Sequence, residues 1–195
     1  MEIISFLLTQ QHYFLLNIET HTHEHWFALK VFYNKVFEIE ESLEKEQIKS
    51  YIPCEEVLIV RNGIKKTIRK PVINSLMFFQ STILEAVNVQ ERFKDKVILY
   101  TRNKDGRKRP LAIPEREMNI FMLVSSSGEQ GMEYFGADEP KFHCGEHVKV
   151  IDGKFKGAEG YICRIRKNSR LVVVIEGVCA VVTSYIPKCF LAKIP

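Results

Sequence analysis

From Gly145 to the C-terminus the chain keeps a hydrophobic period of two, broken at short intervals by glycine. Val148 and Val150, Ile162 and Arg164, Leu171 to Ile175, Val178 to Thr183 and Phe190 to Ile194 form the apolar stretches. Asp152-Gly153, Lys156-Gly157, Asn168-Ser169 and Gly177 supply the turns. A helix would need apolar residues at a 3.6 period, so this region reads as short strands joined by tight turns. Five such strands predict a small closed all-β barrel, the arrangement that leaves no exposed sheet edge.

Upstream, the pattern alternates between strand and helix. Trp26 to Phe32 is an aromatic, β-branched run that reads as a buried strand. Asn34 is placed to cap a helix carrying Val36, Ile39 and Leu43 at helical spacing, with an acidic outer face. Glu56 to Arg61 and Ile64 to Lys70 flank Asn62-Gly63, a strong hairpin signal. Val72 to Phe79 reads as a second buried strand, Leu84 to Phe93 as a helix and Val97 to Thr101 as extended. Asn103 to Arg109 reads as a basic loop, and Pro114 opens a last helix with Met118, Phe121 and Met122 on one side. Together these elements predict an α+β sandwich. Between Ser125 and Lys141 the sequence turns to Ser, Gly, Glu and Pro, which is linker composition. The expected organisation is an extension over 1–23, an α+β unit over 24–127, a linker over 128–141 and the barrel over 142–195.

Composition narrows the function. Of 195 residues, 46% are hydrophobic and 27% charged, enough apolar content for packed cores. The net charge of +4 is too small to argue for nucleic-acid binding by itself, so the distribution must carry that argument. Arg61, Lys65, Lys66, Arg69 and Lys70 form one basic group, and Arg102, Lys104, Arg107, Lys108 and Arg109 a second. Lys149, Lys154, Lys156, Arg164, Arg166, Lys167 and Arg170 form a third. Each suits phosphate contacts and each also suits a solvated surface. The five cysteines contain no C-x-x-C pair and read as reduced core thiols, not a disulfide framework or zinc site. His21, His23 and His25 alternate and could share a metal on a strand, but only His143 and His147 follow as further histidines. No phosphate-binding glycine loop, G-x-S-x-G or paired Cys and His is present, so no enzyme, cofactor or metal is expected. The apolar pieces before Glu24 fall short of the ~20 residues that span a bilayer. A cytoplasmic protein without membrane association is the expectation.

Gly145 to Ile165 (GEHVKVIDGKFKGAEGYICRI) resembles a KOW motif, with Gly145, Gly153, Gly157 and Gly160 at its turn and close-packing positions. Trp26-Phe27-Ala28-Leu29-Lys30, Tyr51-Ile52-Pro53, the Asn-Gly hairpin, Lys70-Pro71-Val72-Ile73 and Ile113-Pro114 resemble the NusG N-terminal (NGN) domain in order and spacing. The resemblance covers about residues 25–195. It implies a transcription elongation factor whose NGN-type α/β sandwich, followed by a small SH3-like KOW barrel, binds the clamp helices of the largest subunit of bacterial RNA polymerase. Carried onto this chain, the polymerase-binding face is Ile73, Leu76, Phe78, Met118 and Phe121, with Trp26 at its margin. Arg61, Lys65, Lys66, Arg69 and Lys70 would lie near nucleic acid at the transcription bubble.

Two departures from the family pattern point to a specialised paralog. Ile73-Asn74-Ser75-Leu76 replaces the usual Phe-Pro-Gly-Tyr. Glu176 replaces an aromatic beside Gly177, on the surface that meets termination factor Rho and a small-subunit ribosomal protein. A charge in place of an aromatic anchor argues against those two partners. The segment Val181 to Lys188 with Phe190-Leu191 looks closest to UpxY-type antiterminators of capsular-polysaccharide operons. The β-branched runs Val172 to Ile175 and Val181 to Thr183 favour a C-terminal region that stays in strands. A monomer is expected. The alternatives are a housekeeping NusG, a ribosome-associated RNA-binding KOW protein and a metal-dependent enzyme using the histidine cluster.

Overall fold

The computed structural model describes residues 23–137, 145–165 and 168–194. The N-terminal extension, His21, His143, Cys144, Arg166 and Lys167 therefore lie outside the described residues. The first strand, β1 (His25–Val31), sits inside a four-stranded antiparallel sheet with β2 (Ser50–Tyr51), β5 (Leu76–Ser81) and β6 (Val97–Leu99), in the order β2-β5-β1-β6. Its side chains alternate between two cores, as a strand covered on both faces requires. Phe27, Leu29 and Val31 pack with α1 (Val36–Lys45) and α2 (Ile83–Phe93), and Trp26 and Ala28 face the other way toward α3 (Glu115–Ser125).

The helices form largely where apolar spacing predicts, and their ends show where local chemistry intervenes. α1 buries Val36, Ile39 and Leu43, but Asn34 is not its cap. Asn34 sits at φ 55°, and Lys35 occupies the cap position without a side-chain bond. Asn tolerates the left-handed region, and here it turns the chain out of β1. In α2 the Thr82 hydroxyl accepts from the Glu85 amide at 3.2 Å, a side-chain cap. The predicted strand over Val72 to Phe79 starts only at Leu76, because Ser75 adopts φ 64° and its carbonyl accepts from the Val31 amide at 2.7 Å.

Two hairpins project from this unit. β3 (Cys54–Arg61) and β4 (Ile64–Pro71) pair over their whole length around Asn62-Gly63, both at positive φ. That is the backbone twist a two-residue hairpin turn favours. The stretch expected as a basic loop is a second hairpin, β7 (Thr101–Lys104) and β8 (Arg107–Pro110), turning at Asp105-Gly106.

The C-terminal region is built mainly of strands, with a 3-10 turn at Lys188–Phe190, but it does not form the closed SH3-like barrel expected of it. β10 (His147–Val150), β11 (Glu159–Ile165), β12 (Asn168–Ile175), β13 (Cys179–Tyr185) and β14 (Leu191–Lys193) join β9 (Glu133–Gly136) in an open six-stranded antiparallel sheet. Its order is β14-β10-β11-β12-β13-β9, so β14 and β9 are separate edges. Two physical reasons account for the opening. The face bearing Val148, Val173 and Val181 shares one core with Met118, Phe121 and Val124 of α3, so it finds cover outside its own strands. β9 comes from the stretch read as linker and occupies the free side of β13. Arg170 clamps it there. This buried guanidinium donates to the Thr183 carbonyl, to the Gly131 carbonyl at 2.6 Å and to the Glu133 carboxylate.

Gly157 lies at φ 96°, which L side chains rarely adopt, and Gly160 is required for a different reason. A Cβ on Gly160 would collide with the Val172 carbonyl across the β11–β12 pairing. Gly160→Ala is expected to lower stability by about 1–3 kcal/mol through overpacking. Gly136→Ala, where an added Cβ meets open space, serves as the control, and thermal unfolding followed by circular dichroism compares the two.

Candidate functional site

The expected polymerase-binding residues do come together. Trp26, Ile73, Leu76, Phe78, Met118 and Phe121 belong to one apolar cluster, and none is more than 7% exposed. Phe78 and Phe121 meet with ring centroids 5.4 Å apart at 56°, bridging β5 to α3. The backbones of Trp26 and Ile113 exchange hydrogen bonds, and the Lys49 ammonium stands 5.2 Å from the Trp26 ring centre. These side chains therefore form the seam between the N-terminal sheet and α3 and are not an open face.

Much of the rest of that cluster comes from the C-terminal region. Leu171, Val173, Ile175, Val178, Cys179 and Val181 share it with the α3 residues, and α3 lies against β12 and β13. Met118, Phe121 and Val124 lie in the core that both sheets share, while Ile120 and Leu123 line a groove with Lys149, Gly157 and Glu159. The sequence reading missed Ile120 and Leu123, although their i, i+3 spacing on an otherwise polar side is the signal that marks them.

Polar bonds fasten the two sheets across α3. Glu159, on β11, pairs with Arg116 of α3 and with Lys149 at 3.1 Å. The Lys149 ammonium hydrogen bond, aided by the Arg116 charge, holds the Glu159 carboxyl below its ordinary pKa. Lys154 reaches Glu129 at 3.0 Å. At the other end of α3 the Tyr51 hydroxyl bonds the Ser125 hydroxyl at 2.7 Å, and the Tyr134 hydroxyl donates to the Ser125 carbonyl at 3.3 Å. Burial pushes the Tyr134 phenol up to about 12 and raises that of Tyr51. It also raises the Cys179 thiol strongly, as suits an unreactive core cysteine. A cleft of about 950 Å³ remains between the units, with Arg102, Leu111, Ile113, Tyr161, Val174 and Glu176 in its walls. Glu176 and Gly177 thus lie at the boundary with the N-terminal unit, where an added Cβ on Gly177 would come 3.8 Å from Leu111.

The basic groups differ once ion pairs are traced. On the β3–β4 hairpin, Arg69 forks onto Glu40 with both bonds at 3.1 Å, and Lys70 meets Glu55 at 3.3 Å. Arg61, Lys65 and Lys66 have no carboxylate partner among the described residues. In the third group Lys149 and Lys154 are paired and Arg170 is buried. His23 and His25 stack edge-on at 6.2 Å, and no three His, Cys, Asp or Glu side chains among the described residues could hold a metal. Of the KOW glycines, Gly145 donates its amide to the Ile162 carbonyl at 2.9 Å, while Gly153 and Gly157 make turns at positive φ and Gly160 makes the close approach. No described helix is long and apolar enough to cross a membrane.

An α+β sheet unit with its last helix on the face opposite the other two is joined to a glycine-punctuated antiparallel sheet. Residues 24–122 match the family described as transcription termination factor nusG, and the chain belongs to that family. The family is non-catalytic and acts in transcription, so the chain is a transcription protein and not an enzyme. A 42-residue stretch is 57% identical to the large ribosomal subunit protein uL24 of Spiroplasma citri, covering 21% of this chain and 69% of that protein. A solved structure on domain interaction in Thermotoga maritima NusG covers 89% of this chain and 98% of its own, at 19% identity and a TM-score of 0.43.

Glu159 offers a handle on how the two units hold together. Lys149, in the same sheet, lowers its carboxyl pKa most, and Arg116 of α3 adds to this, so through the Arg116 pair the ionised form favours the docked state. That contribution is complete above the ordinary carboxylate pKa and is lost as pH falls through the lowered value. Glu159→Gln is expected to speed hydrogen exchange of the α3 amides at neutral pH, and the difference from wild type should vanish in acid. Mass-spectrometric exchange at both pH values reads this.

Proposed function

We propose that this chain is a processivity factor that binds bacterial RNA polymerase through α3 and the apolar residues around it. One observation supports this reading above the others: α3 packs Met118, Phe121 and Val124 into the core shared by both units and also presents Ile120 and Leu123 along a groove beside Lys149 and Glu159. A helix that serves as an exchangeable surface needs apolar side chains beyond those that hold it in its own core. Ile73, Leu76, Phe78 and Trp26 then support the face from beneath, and Met118 and Phe121 anchor the helix. Because the C-terminal sheet covers that side, polymerase binding requires the sheet to move away. The partner surface is the clamp helices of the largest subunit, with Arg61, Lys65 and Lys66 directed at nucleic acid near the transcription bubble. The protein acts in the cytoplasm as a monomer, with an N-terminal unit over 24–127 and a KOW unit over 142–195.

The finer reading is a specialised antiterminator of UpxY type, serving one operon such as a capsular-polysaccharide cluster. It is favoured by Ile73-Asn74-Ser75-Leu76 and by Glu176 beside Gly177. The uL24 likeness favours a second reading, a ribosome-associated RNA-binding protein. Affinity capture with the full chain separates them. Wild type is expected to retain core RNA polymerase, Glu159→Gln to retain more of it, and Leu123→Glu at least tenfold less with unchanged circular dichroism. Leu123 is 40% exposed, so the charge is tolerated in the free protein but not when desolvated against a partner. Co-sedimentation with ribosomes and no capture of polymerase would reject the main reading.

A further inference from the structure

The β7–β8 hairpin is paired in a register that electrostatics alone would oppose. Arg102 lies directly across from Arg109, and Lys104 directly across from Arg107. Alternate residues on a strand share a face, so all four cations stand on one side of the ribbon as a two-by-two array. Like charges directly opposite destabilise a pair of strands. Asn103 and Lys108 occupy the other face. Every residue of the array is exposed.

Four arginines elsewhere in the chain are neutralised. Arg69, Arg92, Arg116 and Arg170 each hold a carboxylate. Arg102, Arg107 and Arg109 hold none among the described residues, and Lys104 has none either. The hairpin does not splay in response, because its base is fixed to the N-terminal sheet. The Tyr100 amide donates to the Ala28 carbonyl at 3.0 Å, and the Leu111 amide to the Tyr100 carbonyl at 2.9 Å. A self-repelling array on a fixed arm is a preformed anion receptor: an incoming anion relieves repulsion that is already present.

We infer that this face binds the phosphodiester backbone of nucleic acid without sequence preference. Guanidinium groups match phosphate by paired hydrogen bonds, and several fixed cations in a row suit a polymer of phosphates. The array carries no aromatic or aliphatic side chain, so it offers a bilayer nothing to insert. The β3–β4 hairpin is different, since it exposes Leu58, Val60 and Ile64 and neutralises Arg69 and Lys70. The site stands apart from the polymerase-binding reading and survives its failure.

Fluorescence anisotropy of a labelled DNA duplex against the full-length chain, over a range of salt, tests the assignment. Each phosphate neutralised contributes about −0.9 to the slope of log affinity against log salt. Arg102→Gln with Arg109→Gln should therefore weaken binding several-fold and reduce the slope by about 1.8. Two duplexes of unrelated sequence should bind alike. The thermal midpoint of that variant should not fall, and Arg109→Glu, which places opposite charges across the pair, should unfold no earlier than wild type while binding still less. Unchanged affinity and slope in the double variant would overturn the assignment, as would a larger loss from Lys65→Gln with Lys66→Gln. It is equally overturned if wild type binds no duplex, or if the double variant loses only binding to phosphatidylglycerol vesicles.

Discussion

Two sheets in this protein take their cover from one helix. Met118, Phe121 and Val124 of α3 close the core beneath β1 and β5, and the same cluster runs on into Val173, Ile175 and Val181 of the C-terminal sheet. Full burial of a side chain such as Phe121 contributes about 1.5–3 kcal/mol, so a helix used twice carries much of the contact energy of both units. The open C-terminal sheet follows from this sharing. An antiparallel sheet with one apolar face must close on itself or find a partner, and α3 provides one. Glu159, set between Arg116 and Lys149, fixes where the two meet.

The N-terminal architecture was largely readable from periodicity and turn chemistry. Trp26 to Phe32 marked β1 within a residue, Asn62-Gly63 marked the hairpin, and the spacing of Val36, Ile39 and Leu43 marked α1. What escaped was decided at longer range. Glu133 to Gly136 reads as linker because the stretch around it, Ser125 to Lys141, is rich in Ser, Gly and Glu, and only pairing with β13, far along the chain, makes it a strand. Arg170 read as one more surface cation, since nothing local reveals that carbonyls of two other segments converge on it. The closed barrel was expected because the strands were correctly placed, but a strand pattern does not say what will cover its apolar face. The candidate face was legible as a set of residues, and its occlusion was not, because that depends on the C-terminal sheet lying against α3.

Charge is distributed on a similar division. Carboxylates on α1 and β11 answer Arg69, Lys96, Arg116 and Lys149, and so fix one piece of the fold to another. Arg61, Lys65 and Lys66 on one projecting hairpin and Arg102, Lys104, Arg107 and Arg109 on the other hold no carboxylate among the described residues. A net charge of +4 conceals this arrangement, since the neutralised and unneutralised cations count alike in the total.

The Arg170 clamp also sets the length of a leash. Because it grips Gly131 as well as Glu133, the chain between the end of α3 and the clamped sheet is only Ser126 to Gln130. Five residues at about 3.5 Å each reach roughly 18 Å when taut. A C-terminal sheet that lets go of α3 with its clamp intact therefore stays within a helix length or so of where it began. Tethers this short hold the detached partner at effective concentrations of about millimolar. Any rival for α3 competes against that standing local excess, so its hold must be tight or the clamp must loosen first.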